Sequence, residues 1–135
     1  MTRALFASGR DGTRLYVRTR EGPPTGGEVT ALLTDGIACD GFIWKYLWDD
    51  LARTMPVAHW HYRGHGRSAR PENGETIELV DHARDLDAVR EAIGDGPVVL
   101  FGHSMGCQVA LEAFRLRREK VRGLVLICGA SGRIT

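Results

Sequence analysis

The sequence predicts an α/β fold: a mostly parallel sheet with helices on both faces, preceded by a β-hairpin. Three observations predict it. From residue 29 onward, short apolar runs alternate with segments of helical periodicity, the pattern of strand–helix–strand units. Before that, two short runs flank Asp11-Gly12, a dipeptide that favours hairpin turns because both positions tolerate positive φ. Finally, Gly102-His103-Ser104-Met105-Gly106 stands between an apolar run and a helical stripe, where the chain must turn sharply.

The elements follow in order. Residues 4–7 and 15–18 are the hairpin strands. Residues 21–27, Glu-Gly-Pro-Pro-Thr-Gly-Gly, are a loop by composition. Residues 29–34 are almost continuously apolar and suit a strand covered on both faces. Phe42, Ile43, Tyr46, Leu47 and Leu51 recur at helical spacing, so residues 42–54 read as a helix, capped by Asp40 or Gly41 and stopped by Pro56. Residues 57–62 form the next strand, and the Gly-rich polar stretch 63–74 is a loop. Thr76 caps a helix whose stripe is Leu79, Val80, Ala83, Leu86, Val89 and Ile93. Gly94 and Gly96 end it. Residues 97–101 are a buried strand, 105–118 a helix and 121–128 a final strand.

A length of 135 residues fits one domain over 1–135 with one core. The formal net charge of +1 gives no global field that would draw nucleic acid. The basic run at 115–120 falls where a helix should end, and positive charge there complements the helix dipole. No apolar run approaches the ~20 residues that span a bilayer. The N-terminus lacks a signal-peptide core, so a cytoplasmic location is the default. The three cysteines, Cys39, Cys107 and Cys128, have spacings that suit neither a disulfide framework nor a zinc site. They read as free, buried thiols. No metal-ligand spacing or cofactor motif is present.

Gly-x-Ser-x-Gly is weak evidence alone, and its context makes it specific. Here it follows a strand and opens a helix, the arrangement called a nucleophile elbow. Ser104 on such a turn is exposed to attack a substrate carbonyl. Gly102 and Gly106 let strand and helix approach, with His103 supporting the loop. The Met105 N–H at the helix start would hold the oxyanion of a tetrahedral intermediate, a donor worth ~3 kcal/mol. Trp44 and Trp48 share a helix face and read as packing residues. Trp44 is the nearer to the site and the candidate for a substrate pocket. Cys39 lacks a readable activating base.

With the elbow placed, the sequence resembles the α/β-hydrolase superfamily, serine hydrolase type. Leu32-Leu33-Thr34-Asp35-Gly36-Ile37 occupies the place of that family's strand ending in His-Gly, with Asp35 where the His would stand. The resemblance implies that the Ile37 N–H is the second oxyanion donor. His61-Tyr62-Arg63-Gly64-His65-Gly66-Arg67-Ser68 is similar to the family's Asp-x-Arg-Gly-x-Gly-x-Ser segment, with His61 in place of Asp. It implies a scaffold role, with Arg63 bracing the loops near the elbow. A phosphate-binding reading of Arg63, His65 and Arg67 lacks the accompanying Walker-type lysine.

The resemblance runs over residues 3–130 and covers the family's N-terminal half. It implies an α/β-hydrolase-like sheet incomplete at the C-terminal side. In the family the triad acid and base follow the serine, yet no histidine follows Ser104. His65, on the correct sheet edge, is the best substitute base in the chain. Losing the base costs of order 10⁶ in turnover. The expectation is therefore a serine hydrolase core acting on a small acyl substrate such as an ester, with acid and base absent. A non-catalytic ligand- or partner-binding module and an inactive fragment are the alternatives. The final strand, 121–128, would be an exposed apolar edge and so a surface for self-association.

Overall fold

The computed structural model describes residues 2–24, 28–36, 42–65, 67–69 and 77–127, the side chains of residues 42 and 43 excepted. β1 (Thr2–Ser8) and β2 (Arg14–Arg20) pair antiparallel with Leu5 opposite Val17. The turn is longer than two residues. Gly9 and Thr13 close it through a 2.8 Å backbone hydrogen bond. Asp11 accepts from the Thr13 N–H at 3.1 Å, and Gly12 takes a φ of +84°. The side-chain bond and the positive φ are what this dipeptide supplies to a turn.

Four more strands complete the sheet: β3 (Thr30–Thr34), β4 (Val57–Trp60), β5 (Val98–His103) and β6 (Val121–Ile127). Their spatial order is β1-β2-β4-β3-β5-β6. The β4–β3, β3–β5 and β5–β6 pairings are parallel, and the hairpin adds antiparallel through β2–β4.

Helices cover both faces, as the period-2 alternation of the strands requires. On one face Leu32, Ala58, Trp60 and Leu100 pack against α2 (Leu79–Ala92) and α3 (Met105–Leu116), through Ala83, Leu86, Val89, Val109, Ala110 and Ala113. On the other, Ala31, Leu33 and Val57 pack against Trp44, Trp48 and Ala52. That second layer is not the single helix expected over 42–54. It is a 3-10 helix, Phe42–Tyr46, followed by a short α1, Trp48–Ala52. Trp44 is held by a hydrogen bond outside the helix, from its indole N–H to Asp35. Its carbonyl accepts from the Leu47 N–H, an i→i+3 bond. Tight 3-10 turns bring both indoles inward, leaving Trp44 fully buried and Trp48 nearly so.

α2 begins at Leu79, and the expected cap, Thr76, lies outside the described residues. Glu78 is the N-cap, and Asp81 reaches back to its N–H at 2.8 Å in a capping box. The helix ends where Gly94, at φ +113°, turns the chain. The basic run at the end of α3 finds local partners: Arg115 pairs with Glu112, Arg117 with Asp87 and Asp95, and Lys120 with Asp95. Of the cysteines, Cys107 is buried and free. Cys39 and Cys128 lie outside the described residues. Among the described residues no helix is long and apolar enough to cross a membrane.

Candidate active site

The sheet order sets the site. β3 sits between β4 and β5, so the chain crosses from β3 outward to β4 and then back over to β5. Thr34 is in register with Gly102. Asp35-Gly36 and His103-Ser104 therefore leave neighbouring strands side by side, at the carboxyl edge where such sheets bind ligands.

Ser104 joins β5 to α3 with φ 55° and ψ −118°. A non-glycine residue holds this conformation at a cost of about 1–3 kcal/mol, so the surroundings must enforce it. They do so from three sides. The Ser104 N–H donates to the Ile127 carbonyl at 3.0 Å, tying the turn to β6. A Cβ at Gly102 would overlap the Gly106 carbonyl and lie 2.7 Å from the Cys107 nitrogen. A Cβ at Gly106 would lie 2.7 Å from the Asp35 carbonyl oxygen. Both glycines thus allow backbone-to-backbone contact, the first between β5 and α3, the second between α3 and the end of β3. Beneath the turn the Cys107 thiol donates to the Gly102 carbonyl at 3.3 Å. Met105 is the first residue of α3, so its N–H has no partner within the helix.

Gly36 packs beside this turn. A Cβ there would be 3.2 Å from both the Ser104 Cβ and the His103 Nδ1. The His103 ring meets Trp44 edge to face at 6.4 Å. Trp44 itself is fully buried and packs with Trp48 and Ala52. Ile37, the second expected oxyanion donor, lies outside the described residues.

The Arg63 loop is built as a brace. Arg63 grips Asp85 on α2 with two hydrogen bonds, at 2.7 and 2.9 Å, and Asp11 in the hairpin turn with two more, at 3.0 and 3.2 Å. The Arg63 guanidinium holds the Asp11 carboxyl well below the usual carboxylate range. Burial pushes the Asp85 carboxyl up, and Arg63 pulls against it. His61, where the resemblance has Asp, accepts from the Arg67 N–H through Nδ1 at 2.9 Å. His65 bonds the Arg63 carbonyl through Nδ1 at 2.9 Å, a contact within its own loop. His82 is buried against Tyr62, with ring centroids 4.3 Å apart, and burial lowers its pKa to about 4.

The sequence marks Asp35 but not the cluster around it. Asp35 is almost fully buried, and its Oδ1 accepts from Trp44 at 2.8 Å and pairs with His59 Nε2 at 2.9 Å. The Tyr62 hydroxyl donates to the Asp35 carbonyl at 2.5 Å. Its signal was an acid at a strand end and a histidine inside an apolar strand, two departures that meet only in space.

A family profile for the alpha/beta hydrolase fold matches residues 35–134. The chain belongs to the α/β-hydrolase fold family. Among its relatives, lipase LipV of Mycobacterium tuberculosis is 38% identical over 110 residues, which are 80% of this chain and 39% of that protein. The 2-(acetamidomethylene)succinate hydrolase of Mesorhizobium japonicum is 28% identical over 114 residues, 84% of this chain and 39% of that one. Among solved structures, esterase RhEst1 from Rhodococcus superposes with a TM-score of 0.82 at 27% identity, covering 95% of this chain and 46% of the other. The α/β-hydrolase chain described here thus spans about two fifths of the length of the curated relatives it matches.

Proposed function

We propose that this chain carries the nucleophile of a serine hydrolase that acts on an ester or related acyl substrate. The observation that carries the reading is the strained φ of 55° at Ser104, on the turn from β5 to α3. Strain of this kind concentrates at reacting residues. In the reading, Ser104 Oγ attacks the substrate carbonyl while a base takes its proton. The carbonyl electron pair moves to oxygen, where the Met105 and Ile37 N–H groups receive it. Collapse expels the leaving group, which takes the proton, and water then repeats the sequence on the acyl-enzyme. In the family the triad acid and base follow the serine along the chain. No histidine follows Ser104 here, and the relatives are more than twice as long. The lipase and esterase names of two relatives support an acyl substrate.

The test is turnover of a short-chain p-nitrophenyl ester by the full-length protein and by its Ser104→Ala variant. The expected loss is of order 10⁶, the size of removing a serine nucleophile. A second reading, a non-catalytic binding module, is favoured by Asp35 and His61 standing where the family has His and Asp. It predicts no turnover by either protein, and a folded, soluble wild type.

A further inference from the structure

The buried pair Asp35–His59 continues to a third group. His59 has no exposed surface. Arg18 lies directly across the β2–β4 ladder from it, and the Arg18 Nε–H donates to His59 Nδ1 at 3.3 Å. The Arg18 guanidinium also covers the Trp48 ring at 4.5 Å. An arginine nitrogen can only donate, and the group stays charged at all ordinary pH. His59 Nδ1 must therefore present a lone pair. Its one proton then sits on Nε2, which faces Asp35 Oδ1 at 2.9 Å. The order is cation, imidazole, carboxylate. The chain ends one residue before Gly36, which rests on Ser104.

We propose that Arg18, His59 and Asp35 form a buried hydrogen-bond relay that positions the Asp35-Gly36 loop against Ser104, with the His59 proton on Nε2. The three are positioning residues. The relay has two effects. It fixes the carboxylate by both His59 and the Trp44 indole, so the loop cannot rotate away from the elbow. It also sets a cation against the charge of Asp35, which would otherwise oppose a developing oxyanion close by. The groups that face His59 are Arg18 from β2, Asp35 from the end of β3 and His61 from its own strand, 5.4 Å away ring to ring. The nearby Arg20–Asp49 pair is closed on itself. Arg18 is thus the group that holds Nδ1 unprotonated.

The effect on Ser104 rests on its reading as nucleophile, whereas the tautomer of His59 does not. The experiment therefore has two arms. In the first, nitrogen-15 NMR of the full-length protein reads which ring nitrogen of His59 carries the proton. The proton is expected on Nε2, with Nδ1 accepting a hydrogen bond. Arg18→Met removes the donor, and the hydrogen-bond shift of the Nδ1 resonance is expected to be lost; Arg18→Lys, which restores a cationic donor, is expected to recover it. A wild-type His59 protonated on Nδ1 overturns the relay.

In the second arm, the rate of fluorophosphonate labelling is measured. Arg18→Met is expected to label about ten-fold more slowly, since small misplacements near reacting atoms have effects of this size or larger. Arg18→Lys should recover the wild-type rate. An unchanged rate in Arg18→Met overturns the positioning role while leaving the tautomer assignment standing. Absence of labelling in the wild type overturns the Ser104 reading, and the positioning role with it.

Discussion

Ser104 is strained, and its strain makes a prediction of opposite sign for stability and chemistry. Glycine tolerates φ 55° without the clash that a Cβ creates. Ser104→Gly should therefore raise stability by about 1 kcal/mol in thermal unfolding while abolishing reaction at the site. A destabilised variant would mean that the turn is not strained. Gly106→Ala should do the reverse: its Cβ would press on the Asp35 carbonyl. Overpacking against backbone costs about 1–3 kcal/mol, read as a lowered urea midpoint. These residues stand out in the sequence because one five-residue motif holds the serine and both glycines. The contact of Arg18, His59 and Asp35 does not. Arg18 lies on β2, His59 on β4 and Asp35 just past β3, and only the order β2-β4-β3 makes them neighbours.

Between elements, the Arg63 brace joins α2, the hairpin turn and the loop after β4. Arg63→Met would leave Asp85, 2% exposed, buried without its cation. Removing one member of a buried pair costs about 3 kcal/mol or more, to be measured by urea denaturation. A loss under a third of that would show the brace to be dispensable. His82 on α2 gives a pH dependence. Burial lowers its pKa from 6.5 to about 4, with His65 and Arg63 adding to the shift and Asp81 opposing it. Between these values the unfolded chain binds a proton that the folded chain refuses, so stability falls as pH drops from about 6.5 to about 4. The loss is of order 2 kcal/mol, allowing for residual solvent access. His82→Phe, which keeps the contact with Tyr62, should flatten that limb of the stability profile. At this scale the sequence reading succeeded where periodicity was long, as in α2 and α3. It failed over residues 42–54, where a buried indole bond to a carboxylate from another element replaced a regular helix. Apolar spacing records which side chains turn inward, not which partner outside the helix holds them.

For the whole molecule, the sequence read the strand–helix alternation as a mostly parallel sheet covered on both faces, and the structure has that architecture. The spatial order was not legible, because crossover lengths do not say on which side the next strand adds. Among the described residues β6 is the last strand of the sheet, and its Val125 and Leu126 are 38% and 41% exposed. An open edge with apolar side chains invites pairing. The 135-residue chain is therefore expected to self-associate with rising concentration in sedimentation velocity, and Val125→Lys to shift it toward monomer. A wild type that stays monomeric throughout would contradict this.

Ser104 is the centre of the proposed chemistry, and locating a covalent adduct reaches it most directly. The full-length protein is treated with a fluorophosphonate, digested, and its adduct located by peptide mass spectrometry. A single adduct on Ser104 that disappears in Ser104→Ala is expected. An adduct on another residue, or labelling that persists undiminished in that variant, would contradict it.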